Sequence, residues 1–102
     1  MVIEWLQFRV PPEQRERFIQ LDEEIWTPAI AKYPGYQGKA IWISPTAPDE
    51  VAFVIHWASR EQWFSIPADD LAPTEAAFEA AIDFEYELLL SREYQVRRFP
   101  NP

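Results

Sequence analysis

Residues 53 to 63 read FVIHWASREQW and hold the single histidine of the chain, His56, with Trp57 beside it and Trp63 six positions further on. Imidazole ionises near neutral pH, so His56 is a candidate general base. Such a base must reach a substrate proton within about 3 Å or through one water, and no acid or nucleophile stands beside His56 in sequence. A hydrogen-bonded histidine at a subunit interface meets the same facts, and the reading leans to that role. Ser59 has a hydroxyl of the nucleophile type, but Ser59-Arg60-Glu61-Gln62 has the S-x-x-Q form of a capping box, a structural use. The acidic run Asp22-Glu23-Glu24 invites a metal. Adjacent helical residues point in different directions, so a solvated helix face is expected instead. There is no cysteine, which removes disulfides, thiolate metal sites and thiol nucleophiles. No metal and no bound cofactor are therefore expected. Of the tryptophans at 5, 26, 42, 57 and 63, Trp26 and Trp57 suit a helix-facing core and Trp63 a short helix. That leaves Trp5 and Trp42 as candidates to line a ligand cavity.

The elements that position these residues follow from periodicity and breakers. Residues 2 to 10 are rich in β-branched and aromatic types and stop at Pro11-Pro12, predicting a first strand. A helix follows from Pro12, with Phe18, Leu21, Ile25 and Ala29 at helical spacing, and Pro28 is expected to kink or break it after Trp26. The stretch YPGYQG at 33 to 38 contains both glycines and marks a turn into a second strand at about 39 to 44. Pro45, Pro48 and Asp49 predict a loop, and residues 50 to 58 a third strand paired to the second as a hairpin. A short helix starts at Ser59 and stops before Pro67. Asp69, Asp70 and Thr74 offer caps for another helix with the stripe Phe78, Ile82, Tyr86. A last strand is expected over about 89 to 99. The order βαββαβ is the ferredoxin-like plan, an α+β fold with a four-stranded antiparallel sheet and its helices on one face. Residues 1 to 102 read as a single domain, with no repeat and no low-complexity segment.

Seventeen acidic residues against nine basic ones give a net charge of -8, which repels phosphate backbones and anionic lipid. Nucleic acid is not an expected partner, and neither is a membrane, since no apolar run approaches the roughly 20 residues of a span. The opening MVIEWLQFRV lacks the basic and long apolar regions of a signal peptide, so a cytoplasmic location is expected.

A ferredoxin-like sheet leaves one face without helices. The third strand is apolar on both sides, with Val51, Phe53, Ile55 and Trp57 facing one way and Ala52, Val54, His56 and Ala58 the other. In the first strand, Leu6, Phe8 and Val10 suit the helices, leaving Ile3, Trp5, Gln7 and Arg9 on the open face. Trp42 joins them if Ile41 and Ile43 face the helices. An open face with Trp5, Trp42, Val54 and His56 predicts a homodimer that covers it.

The length, the βαββαβ order and the W-x-S-R-E segment at Trp57 to Glu61 resemble the dimeric α/β-barrel proteins of the antibiotic-biosynthesis-monooxygenase type. The segments VIEWLQFRVPPEQRERFI, DEEIWTPAIAKYPGYQGK and SREQW more closely resemble a group of short uncharacterised cyanobacterial proteins within that fold. The resemblance implies a dimeric α/β barrel and a superfamily that includes oxygenases, haem-degrading enzymes, isomerases and proteins without known activity. Haem-degrading relatives use an asparagine in the first strand, a tryptophan after the third strand and a histidine on the following helix. Here the first strand has no asparagine, and Ile66 and Ala76 fall where the other two would lie. Haem oxygenation is thus disfavoured. Cofactor-free oxygenation would need polar groups that deprotonate a phenolic or enolic substrate, a role open to His56, Arg9, Tyr94 and Gln7. The reading favours a noncatalytic dimer that binds a small apolar or aromatic ligand or another protein. The alternative is a cofactor-free monooxygenase or related enzyme acting on a small aromatic or conjugated compound. A cavity of about 300 Å³ or more would point to a ligand, and a filled interior to an interaction protein.

Overall fold

The computed structural model describes residues 1–100. Four strands, β1 (Val2–Arg9), β2 (Tyr36–Ser44), β3 (Ala47–Trp57) and β4 (Glu87–Gln95), form one sheet in the order β2-β3-β1-β4. Every neighbouring pair is antiparallel. The fold is the expected α+β, ferredoxin-like one. The helical segments α1 (Arg15–Leu21), α2 (Thr27–Ala31), α3 (Arg60–Phe64) and α4 (Ala68–Ala81) supply the residues that pack on the side of the sheet bearing Phe53, Ile55 and Trp57.

Strand parity places the core. Phe8 and Phe53 meet Phe18 of α1 at ring separations of 5.2 and 5.7 Å, and Phe18 in turn touches Phe78 of α4 at 5.5 Å. Phe18 is fully buried. A second cluster, built on Ile30, Ile55 and Trp57, gathers Trp26, Trp63, Ile66 and Leu71 around it.

Several local expectations are corrected by the structure. The first helix continues past Pro28 to Ala31, and the disturbance expected after Trp26 takes the form of a wide π turn over Asp22–Trp26 rather than a break. Pro28 has no N–H for the carbonyl four residues back, and the wider turn, in which the Thr27 N–H donates to the Asp22 carbonyl, absorbs that mismatch. The loop between β2 and β3 shrinks to Pro45 and Thr46, with Pro48 and Asp49 inside β3. The fourth helix begins after Pro67 with no side-chain cap, while Asp69 and Asp70 sit in its first turn near the positive end of the helix dipole. It ends at Ala81 because Ile82 is already extended, so Tyr86 reaches the core from the approach to β4 and contacts Phe18 at 5.0 Å. Strand β4 spans Glu87–Gln95, earlier than the expected 89 to 99.

The Ser59 half of the capping box forms, its hydroxyl accepting from the Gln62 N–H at 3.1 Å, while the Gln62 side-chain oxygen accepts from that hydroxyl at 3.3 Å. Gln62 also lies against Gly35, where a Cβ would sit 2.6 Å from the Gln62 Cβ and the backbone has φ of 96°. Only glycine meets both conditions. Together the cap and this close approach set α3 on the turn before β2, which carries Trp63 to the helix side of the sheet.

Candidate functional site

The helices do not fill the space they cover. A cavity of about 570 Å³ lies between them and the sheet, well inside the usual range of roughly 300–1,000 Å³ for small-molecule sites. Glu4, Leu6 and Phe8 of β1, Lys39 of β2, and Phe53, Ile55 and Trp57 of β3 supply its sheet side. Phe18, Trp26, Ile30, Trp63, Leu71 and Phe78 come from the helices, and Glu75, Glu79, Tyr86 and Leu88 also border it.

Two polar groups stand among these apolar walls. Glu4 occupies the helix-facing parity of β1, between Val2 and Leu6, and its Oε1 accepts a hydrogen bond of 3.1 Å from the Trp57 indole Nε1. Burial pushes the Glu4 carboxyl above the ordinary carboxylate range, opposed by the Trp57 hydrogen bond and by the charge of Lys39. The second is an ion pair. Lys39 Nζ donates to Asp22 Oδ2 at 2.8 Å and to Thr27 Oγ1 at 3.0 Å, and both charged side chains are only 3% exposed. Lys39 also lies over the Phe53 ring, 5.4 Å from its centre. Burial raises the Asp22 carboxyl, against the pull of Lys39. The π turn is the local feature that carries Asp22, which is buried, while Glu23 and Glu24 remain exposed. For Asp22 the expectation of a solvated face is therefore overturned. Among the described residues no group of three or more acidic or histidine side chains is arranged to hold a metal.

The residues singled out from sequence stand elsewhere. Trp5, Gln7, Arg9, Trp42, His56 and Tyr94 share the parity of the sheet face without helices, and none of them lines the large cavity. Three of them come together: Trp5 meets Trp42 at 5.7 Å and Tyr94 at 6.5 Å, both edge to face. Gln7 accepts weakly from the Trp5 indole at 3.4 Å and donates to Glu50 at 2.6 Å. Arg9 is drawn to the end of the strand by Asp49 and Glu87, at 3.4 and 3.5 Å. His56 pairs across the sheet with Ile3 and Gly38. The groove on this side, bordered by Trp5, Gln7, Trp42 and Glu50, holds about 190 Å³.

The open face also differs from expectation in what it exposes. Trp5 lies opposite Val54 and Trp42 opposite Ala52, so their contact passes over β3 and roofs its outer side. Val54 is only 3% exposed, whereas Trp42 is 54% and Tyr94 46% exposed. The water-facing apolar surface is therefore aromatic and belongs to the flanking strands.

Glu4, Asp22 and Lys39 are the site residues that sequence reading missed. Glu4 had a legible signal, because alternation from Leu6 and Phe8 puts it on the helix side; Asp22 and Lys39 had none, since their pairing depends on the π turn.

The fold and this covered cavity define a class, the ferredoxin-like proteins with a pocket between helices and sheet. Within it, residues 1–65 match the antibiotic biosynthesis monooxygenase family, and the chain belongs to that family. No curated protein matches the sequence. Among solved structures, one assigned as an antibiotic biosynthesis monooxygenase from Deinococcus radiodurans is similar at a TM-score of 0.72 and 18% identity, covering 100% of this chain and 98% of that one. The monooxygenase ActVA-Orf6 of Streptomyces coelicolor, solved with nanaomycin D, is similar at a TM-score of 0.70 and 15% identity over 99% and 91% of the two chains. SnoaB of Streptomyces nogalater, a cofactor-independent oxygenase, gives 0.64 and 14% identity over 96% and 94%. At these identities the likeness concerns the fold.

Proposed function

We propose that this protein is a homodimer that binds a small, mainly apolar aromatic ligand in the cavity between helices and sheet. The observation that carries this reading is a half-open space of about 570 Å³ under the helices, walled mainly by aromatic and aliphatic side chains and containing the Glu4 carboxyl. Glu4 acts as the polar group that orients the ligand, and Trp57 steadies Glu4. The open face, with Trp5, Trp42 and Tyr94 in contact and His56, Gln7 and Arg9 around them, serves as the surface between subunits. A catalytic version uses the same cavity: two of the similar structures are named as monooxygenase or cofactor-independent oxygenase, and Glu4 is the group here able to take a proton from a phenol or enol. The homodimer, the likeness to short cyanobacterial proteins and a cytoplasmic setting belong to this reading and rest on the sequence.

The test is a thermal-shift screen with neutral bicyclic aromatics on the wild type and on Leu71→Trp, which fills the cavity from α4. Stabilisation of the wild type alone, with both proteins folded by circular dichroism, supports the reading. Equal shifts in both overturn it.

A further inference from the structure

The charge around the cavity is unbalanced. Its border includes four carboxyl side chains, Glu4, Asp22, Glu75 and Glu79, and one cation, Lys39. That cation is already committed, since Lys39 binds Asp22 and Thr27 with both partners of the ion pair sealed from water. Glu79 is likewise engaged, accepting from the Tyr86 hydroxyl. Glu4 remains. Its one hydrogen-bond partner is the neutral indole of Trp57, and among the described residues no cation lies within ion-pair distance of it. Trp57, Trp26 and Trp63 line the same cavity, and indole is the ring type whose face attracts a cation most strongly.

From this arrangement we infer that the cavity selects its ligand by charge, taking an aromatic compound that bears an ammonium group and rejecting one that bears a carboxylate. The inference rests on the cavity reading above and adds the class of ligand to it. An ammonium beside Glu4 completes an ion pair in a space partly removed from water, where charges interact several-fold more strongly than in bulk. It also offers the N–H donors that a carboxylate with one indole partner has room to accept. An organic anion in the same place meets Glu4 with no uncommitted cation to offset it. Burial holds the empty carboxyl in an unfavourable state, as its raised titration indicates, and a bound cation relieves that cost.

The experiment is isothermal titration at pH 8 with three probes of nearly equal shape: 2-naphthylmethylammonium, 2-naphthylmethanol and 2-naphthoate. Each is titrated into the wild type and into Glu4→Gln, which keeps an oxygen for the Trp57 N–H and removes the charge. The wild type is expected to bind the ammonium at least about 10-fold more tightly than the alcohol and to bind the naphthoate more weakly than either, in line with a local charge pair of moderate strength. In Glu4→Gln the gap between ammonium and alcohol should shrink to within about 3-fold. Because the substitution changes the net charge only from -8 to -7, collapse of the gap reports the local pair and not the general attraction of an acidic protein for cations. Equal binding of ammonium and alcohol by the wild type, or a gap that survives in Glu4→Gln, overturns the inference while leaving the cavity reading in place. Failure of all three probes to bind overturns both.

Discussion

The two faces of this sheet carry similar chemistry in different settings. Each has tryptophans beside a side chain able to transfer a proton, and the paired residues are sequence neighbours: Glu4 beside Trp5 on β1, and Trp57 beside His56 on β3. Alternation sends Glu4 and Trp57 under the helices and Trp5 and His56 to the open side. Helices turn the first pair into a wall and a polar group of a half-open cavity, whereas the second pair lies half-buried on the uncovered face. Cover by helices, and not residue type, is what distinguishes the two faces.

The covered face is most vulnerable at its centre. Phe18→Ala removes a fully buried ring that joins both core strands to α4, and an expected loss of about 3–5 kcal/mol should appear as a lower urea midpoint. Lys39→Met leaves Asp22 buried without its partner and should cost roughly 3 kcal/mol, most of it recovered in Lys39→Met with Asp22→Asn. If the double variant is no more stable than the single one, the pair has another role. On the open face, Trp42→Ala should scarcely change unfolding of the subunit but weaken self-association by about 2 kcal/mol, read by sedimentation over a concentration series. A wild type that sediments at one chain mass throughout would remove the dimer from the account.

The smallest expected effect is a pH dependence confined to the covered face. Glu4 takes up a proton more readily in the folded state than in the unfolded one, so stability falls as pH rises from the ordinary carboxylate range through the raised folded value. Glu4→Gln should therefore unfold at higher temperature than the wild type at pH 8, by a margin of about 1 kcal/mol, and lose that margin toward pH 4. A margin that is constant across this range would mean that the carboxyl is not held in a costly environment.

Much of the fold was legible in the residues themselves. Alternation in β1 and β3, the Pro45 turn and the Ser59 cap act over short distances, and the helical stripe through Phe18 and Leu21 fits the observed core. Elements were lost where tertiary packing overrode a local period. Tyr86 continues the spacing of Phe78 and Ile82, yet the chain is extended from Ile82 and brings the ring to Phe18 by another path. Asp22 looked like one of three solvated acids until the π turn presented it to Lys39 from β2, 17 residues away. The cavity was the least legible feature, because a void depends on how far the helices stand from the sheet. Sequence alone drew attention to His56, the single histidine, and away from Glu4, one acid among many.

The most direct test uses the five tryptophans as position reporters. Their indole N–H signals can be followed by two-dimensional nitrogen–proton NMR while a bicyclic aromatic probe such as 2-naphthylmethanol is added. Trp26, Trp57 and Trp63 border the covered cavity, whereas Trp5 and Trp42 lie on the open face. The account predicts saturable shifts of the Trp57 and Trp63 signals, with Trp5 and Trp42 unmoved. Shifts confined to Trp5 and Trp42 would contradict it and place the ligand on the face that bears His56.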